Sequence, residues 1–244
     1  MMPHRREADA VGGGLCFDAS FPEARRSAEE GKTMYEKYVK RLIDIVLSGV
    51  GMLLFSWLYL ILSVAIYLDD PGPVLFKQKR FGKHKKFFIL HKFRSMKMDT
   101  PNDMPTHSLK NPDQYFTRIG KSLRKSSLDE IPQFWDIFIG KMSIVGPRPV
   151  LWKETDLIEE RDKYGANDVL PGLTGWAQIN GRDMLDITEK ARLDGEYVRH
   201  LHAGGFHAFL FDCRCFFGSF SPVAKGDGVI EGDLREERKK ELAG

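Results

Sequence analysis

The 244-residue sequence predicts a mainly helical α/β single domain carried on a membrane-embedded N-terminal helix, with a small irregular β element. Three features predict it: an uncharged run from Ile45 to Leu68, apolar residues at helical spacing through the C-terminal half, and a mixed aromatic and basic stretch from Val74 to Met98. Apolar residues make up 42% of the chain, enough for a core, and the length suits one ordinary domain with appendages. The formal charge of +3 is small, but basic residues crowd both sides of the uncharged run. Cys16, Cys213 and Cys215 are too few for a disulfide framework and have no second pair at zinc spacing. His200-x-His202 is a weak metal pair, read more simply as surface.

Residues 1–33 are rich in Gly, Ala, Glu and Arg without apolar period, and read as a disordered extension or an over-called start, with no secretory signal. A membrane-embedded segment over 34–73 follows. A helix over the uncharged run measures roughly 36 Å, against a hydrocarbon core of about 30 Å. Lys37, Lys40 and Arg41 precede the run; Lys77, Lys79, Arg80, Lys83, Lys85 and Lys86 follow it. Basic flanks mark the cytoplasmic side, so two of them favour a segment that returns to the face it entered, with a straight span as the alternative. Gly49, Gly51 and Ser56 offer places to bend, and Asp69 to Pro73 closes the segment as a turn.

A catalytic domain is expected over 74–203. Val74 to Met98 reads as short strands or irregular structure at a membrane surface, where anionic headgroups suit the sequence better than nucleic acid. Helices are predicted over Tyr115–Lys125, with Arg118, Lys121 and Lys125 aligned, then over Glu130–Ile139, Glu154–Tyr164 and Ile187–Leu201. In the last segment, 204–244, a helix from Phe206 to Phe220 stripes Phe209, Cys213, Phe216, Phe217 and Phe220 on one face, with Asp212 and Arg214 off it. That pattern suits an interfacial helix followed by a tail, with a helix of the core as the alternative.

The chemistry concentrates at Asp129-Glu130. Ser127 with Glu130 spells a capping box, but that register puts Pro132 one turn inside the helix; a start near Asp129 removes the conflict and leaves its carboxylate at the positive end. Carboxylates on adjacent helical residues point roughly 100° apart, so the two suit different tasks. A carboxylate can attack phosphorus, and Arg124 and Arg148 are placed to neutralise a diphosphate. Pro147 and Pro149 bracket Arg148 and stiffen its mount, or else form a plain tight turn. The loop from Pro171 to Arg182 carries three glycines among polar and aromatic side chains, as ligand-approaching loops do. No phosphate-binding P-loop or dinucleotide fingerprint is present.

Lys92-Phe93-Arg94-Ser95-Met96, Ser127-Leu128-Asp129-Glu130, Gly146-Pro147-Arg148-Pro149, and Pro171-Gly172 through Asn180-Gly181-Arg182 occur in one order. From about Met34 to Leu201 the chain resembles the monotopic phosphoglycosyl transferases that initiate exopolysaccharide, capsule and glycoprotein glycan assembly, in their minimal form. The resemblance implies transfer of a hexose 1-phosphate from a UDP-sugar to undecaprenyl phosphate, with membrane lipids and no nucleic acid as partners. Asp129 would be the nucleophile, releasing UMP and binding Mg²⁺; Glu130 would assist transfer to the lipid. Positions matching Lys92, Arg94, Arg124, Arg148, Arg182 and Asp194 would line the substrate site. The resemblance also implies a re-entrant helix on the cytoplasmic face of the inner membrane. Two positions depart from the pattern: Ser56-Trp57 replaces a helix-breaking Ser-Pro, and Leu170 replaces the basic residue before Pro171-Gly172. A membrane-bound phosphohydrolase and a non-catalytic lipid-binding or nucleic-acid-binding module are the alternatives. Nothing in the sequence specifies the sugar.

Overall fold

Lys40, Asp44, Ser48 and Gly51 fall on one stripe of α1 (Lys40–Leu54), and that stripe is the face the protein buries. The helix is therefore inside-out. Its polar groups meet the domain, while Leu42, Val46, Leu53 and Leu54 are exposed. A π-helical turn, Tyr35–Val39, leads into it. Lys40 Nζ donates to Asp212 Oδ2 at 2.7 Å, and Asp212 also accepts from Tyr35 Oη at 2.6 Å and Tyr197 Oη at 3.0 Å. One turn on, Asp44 Oδ1 accepts from Ile144 N at 2.9 Å and Ser143 Oγ at 3.1 Å. Lys40 and Asp212 are thus ion-paired and Asp44 is hydrogen-bonded, which is the condition for keeping such groups in a core. Asp212, expected on the polar side of an interfacial helix, is instead the buried hub of this network.

The computed structural model describes residues 33–98, 100, 112–181 and 184–220. The extension expected over 1–33 (Thr33 apart), the tail beyond Phe220, and Arg182 lie outside the described residues.

At Phe55 the chain leaves helical geometry (φ −96°, ψ 5°) and α2 (Ser56–Asp69) continues at 59° to the first helix. No proline is needed. Ser56 Oγ donates to the Leu53 carbonyl at 2.8 Å, and Phe55 stacks on Phe134 with centroids 6.0 Å apart. Tyr59 packs on Phe93 at 4.8 Å. Among the described residues no single helix is long and apolar enough to cross a membrane; the bent pair together has the length and composition to do so. Trp57, Leu60, Val64 and Leu68 extend the exposed apolar face along α2.

The expected irregular β element is a regular hairpin. Strands β1 (Leu75–Phe81) and β2 (Phe87–Phe93) pair antiparallel from Leu75 opposite Phe93 to Phe81 opposite Phe87. β4 (Val150–Leu151) joins the other side of β1. A second, parallel pair joins β3 (Ser143–Val145) to β5 (Gly172–Thr174). In that pair a Cβ on Gly172 would lie 2.1 Å from the Gly146 nitrogen, so the two backbones touch where only glycine fits. Gly172→Ala is expected to cost about 1–3 kcal/mol, because the parallel pair must separate. A urea midpoint equal to wild type would refute the contact.

The remaining helices are α3 (Arg118–Lys125), α4 (Gln133–Phe138), α5 (Thr155–Asp162), α6 (Trp176–Ile179), α7 (Ile187–Ala203) and α8 (Gly205–Gly218). α3 starts three residues later than the periodicity predicts. Thr117 is extended and its hydroxyl accepts from Gly120 N, and Phe116 bridges to Met96. α8 is half a core helix: Ala208, Phe211, Asp212 and Cys215 face inward, while Phe206, Leu210 and Phe217 remain exposed. The main core gathers Phe88, Leu90, Ile137, Met142, Tyr197 and Phe211 between the sheets, α7 and α8.

Candidate active site

Asp129 lies in a 3₁₀ turn, Leu128–Glu130, and the α-helix that follows begins only at Gln133 with Pro132 as its cap. Neither helical start read from the sequence is realised. Ser127 is in the left-handed region (φ 57°) and makes no capping bond. Placing Pro132 before the helix removes its clash with the preceding turn. The tight turn presents the two carboxylates to different surroundings.

Glu130 Oε1 accepts from Lys92 Nζ at 2.7 Å and from Arg148 Nη2 at 3.2 Å. Asp129 is more buried, at 6% exposure, yet more loosely held: Lys92 Nζ stands 3.8 Å from its Oδ2. Among the described residues that is its one ion-pair contact. Burial pushes the Asp129 carboxyl above the usual carboxylate range; Lys92 opposes the rise, Glu130 adds to it, and Arg124 and Arg148 oppose it. Burial likewise lowers the Lys92 ammonium, against the pull of Glu130 and Asp129. Arg124 is carried by α3 with its guanidinium 5.2 Å from the Phe116 ring.

The hairpin register supplies a cation the sequence reading missed. Side chains alternate along a strand, so Gln78, Arg80 and Lys92 share one face of the β1–β2 pair. Burial, helped by the nearby Arg148 and opposed by Glu154 and Glu130, brings the Arg80 guanidinium down to about 10. Lys92, Arg80, Arg124 and Arg148 thus stand against three carboxylates, Asp129, Glu130 and Glu154, in this part of the described chain. The excess positive charge suits a polyanion.

The Pro147-Arg148-Pro149 loop is fixed by all three of its carbonyls. Gly172 N donates to that of Pro147 at 2.8 Å, Arg161 Nη1 to that of Arg148 at 2.9 Å, and Arg80 Nη1 to that of Pro149 at 2.9 Å. Pro147 and Pro149 are themselves buried. The second of these donors explains Asp194. The structure places its carboxylate on Arg161, with Oδ2 2.8 Å from Nε and 2.5 Å from Nη2, and both residues are nearly inaccessible. Asp194 therefore bears on the Arg148 loop through Arg161. Arg94 is held on Asp70, with Nη1 3.3 Å from its carboxylate and Nη2 on its carbonyl, at the end of α2. Sequence period gave no signal for Arg161, which reads as one more polar helix residue.

Two adjacent carboxylates held differently among cations, one of which sits on a proline-stiffened loop, have the chemistry that phosphoryl transfer uses. The bacterial sugar transferase profile matches residues 35–226, and the chain belongs to that family. Its relatives include the UDP-glucose:undecaprenyl-phosphate glucose-1-phosphate transferase of Escherichia coli K12, 39% identical over 67% of this chain and 36% of the relative. The exopolysaccharide production protein PSS of Rhizobium leguminosarum is 36% identical over 78% of this chain and 98% of the relative. The UDP-N-acetylgalactosamine-undecaprenyl-phosphate N-acetylgalactosaminephosphotransferase of Aeromonas hydrophila is 37% identical over 67% of this chain and 40% of its own length. The chain spans about a third of the length of several of these relatives, including the first.

Proposed function

We infer that this chain transfers a sugar 1-phosphate from a UDP-sugar to undecaprenyl phosphate, releasing UMP, as the first membrane step of a surface glycan. The observation that carries the reading is the inequality of the two carboxylates: Glu130 is gripped by Lys92 and Arg148, while Asp129 is buried beside them with its oxygens loosely held. An Asp129 oxygen attacks the phosphorus that bears the sugar; the bond from that phosphorus to UMP breaks, and UMP leaves with the electron pair. An oxygen of the lipid phosphate then attacks the same phosphorus and restores the Asp129 carboxylate. Glu130, oriented by its two cations, takes the proton of the lipid phosphate. Arg148, Arg124, Arg80 and Lys92 neutralise charge on the diphosphate.

The donor set fits Mg²⁺. No group of three or more His, Cys, Asp or Glu gathers among the described residues, but this ion is commonly held by one or two carboxylates together with substrate phosphates. Asp129 is the carboxylate with room for it, since Glu130 is already occupied. When bound, the ion supplies charge neutralisation at the diphosphate. In this reading the exposed apolar face of α1 and α2 lies in the cytoplasmic leaflet of the inner membrane as a re-entrant pair, with Arg41 and the basic hairpin at the surface.

The test is UMP release from a panel of UDP-sugars by detergent-solubilised protein, with and without undecaprenyl phosphate. Release that depends on the lipid, stops with EDTA and returns with Mg²⁺ is expected. Steady turnover without lipid would replace this reading with hydrolysis. The relatives' names differ in the sugar, so the panel includes glucose and N-acetylgalactosamine.

A further inference from the structure

A groove of about 460 Å³ opens where α1 breaks into α2, on the face of the hairpin opposite Arg80 and Lys92. Met52, Phe55, Tyr59 and Trp135 make it apolar, and Lys77 and His91 bring an ammonium and an imidazole to an otherwise greasy lining. These two are direct cross-strand partners, so their side chains stand together. His91 is held in place: Asp136 accepts from its backbone N–H at 2.9 Å, and the ring Nδ1 lies 2.8 Å from the same fully buried carboxylate. Occupying Nδ1 leaves Nε2 as the ring nitrogen for the groove. The far wall is Ile131 and Pro132, the residues that directly follow the Asp129-Glu130 pair.

We propose that this groove seats the acceptor, an isoprenoid monophosphate, with its first prenyl units against Met52, Phe55, Tyr59 and Trp135 and its phosphate held by Lys77 and His91 at the Ile131-Pro132 wall, the segment that leads back to the dyad. An occupant with an apolar tail and one anionic head matches the lining in both respects, and the groove ends on the segment that carries the dyad. The identity of the occupant rests on the transferase reading above. None of the motifs that mark the family includes Lys77 or His91, so the assignment adds acceptor-positioning residues to the site.

The experiment uses the full chain in phosphatidylcholine nanodiscs with a photoactivatable farnesyl phosphate and the matching farnesol probe, and maps the adducts by peptide mass spectrometry. Adducts are expected on peptides containing Met52 or Trp135, competed by undecaprenyl phosphate and not by phosphatidylglycerol. Lys77→Met, an exposed strand position, and His91→Gln, which keeps an N–H for Asp136, should each weaken labelling by the phosphate probe about tenfold, as loss of a hydrogen bond to a charged group does, and labelling by farnesol far less. Labels outside the groove, equal competition by phosphatidylglycerol, or variants that label as wild type would overturn the assignment. Labelling needs no turnover. A chain that labels in the groove yet releases no UMP sinks the transferase reading and keeps a prenyl phosphate site, whereas lipid-dependent UMP release with the label elsewhere sinks the groove alone.

Discussion

Asp129→Asn is expected to lower UMP release by about 10⁴-fold or more, the scale on which removal of a nucleophile acts. The replacement is nearly isosteric and removes a carboxyl that burial already disfavours as an anion, so thermal stability should be unchanged or slightly higher. Stability and activity then move apart, which separates a chemical loss from an unfolded protein. Glu130→Gln is the companion. It keeps the shape but leaves Lys92 and Arg148 without their shared carboxylate, and transfer to the lipid should slow more than the first release of UMP. Intact mass spectrometry of wild type with UDP-sugar and no lipid should show one sugar-phosphate adduct, absent from Asp129→Asn. Substantial activity in Asp129→Asn would remove the proposed nucleophile.

The largest expected loss of stability is at Asp194→Ala. It leaves the Arg161 guanidinium, 3% exposed, without its counter-charge, and breaking a buried pair from one side costs about 3–5 kcal/mol. A fall in Tm of roughly 10 °C is the measure. Arg161→Met combined with Asp194→Leu removes both charges and should recover most of that stability, because apolar replacements of a buried pair are often neutral. The double variant still lacks the Arg161 hydrogen bond to the Arg148 carbonyl, so its KM for the UDP-sugar should stay raised even though the fold is restored. If Tm and KM both return to wild type, the pair is structural only and the Arg148 loop does not depend on it.

Much of this site is legible as short words in the sequence. Asp129-Glu130 and Pro147-Arg148-Pro149 stand out as candidates because charge beside charge and proline beside arginine are local facts, while the roles assigned to them come from the family resemblance. Helices α3, α4, α5, α7 and α8 are likewise found near their predicted positions, because their apolar residues recur at helical spacing. The misses lie at boundaries and partners. The start of the helix after the dyad is decided by a left-handed Ser127 and a capping Pro132, and the sequence reading offered two other registers. Arg80 looks like part of a basic flank until the hairpin register puts it on the same face as Lys92. Asp194 and Arg161 lie on separate helices, and nothing in either helix's period names the other.

The sequence by itself determined the family, the dyad, the arginine loop and the uncharged segment, because each is written in contiguous residues. Tertiary structure alone decided how that segment is used. Lys40, Asp44, Ser48 and Gly51 share a stripe in any helix, but only Asp212, Ser143 and Ile144 on the folded domain give that stripe its partners and turn the apolar face outward. The bend at Phe55 has no proline to announce it. It is made by Phe55 stacking on Phe134 and Tyr59 packing on Phe93, contacts between residues tens of positions apart. Periodicity says which side chains share a face; what that face meets is settled when distant segments pack.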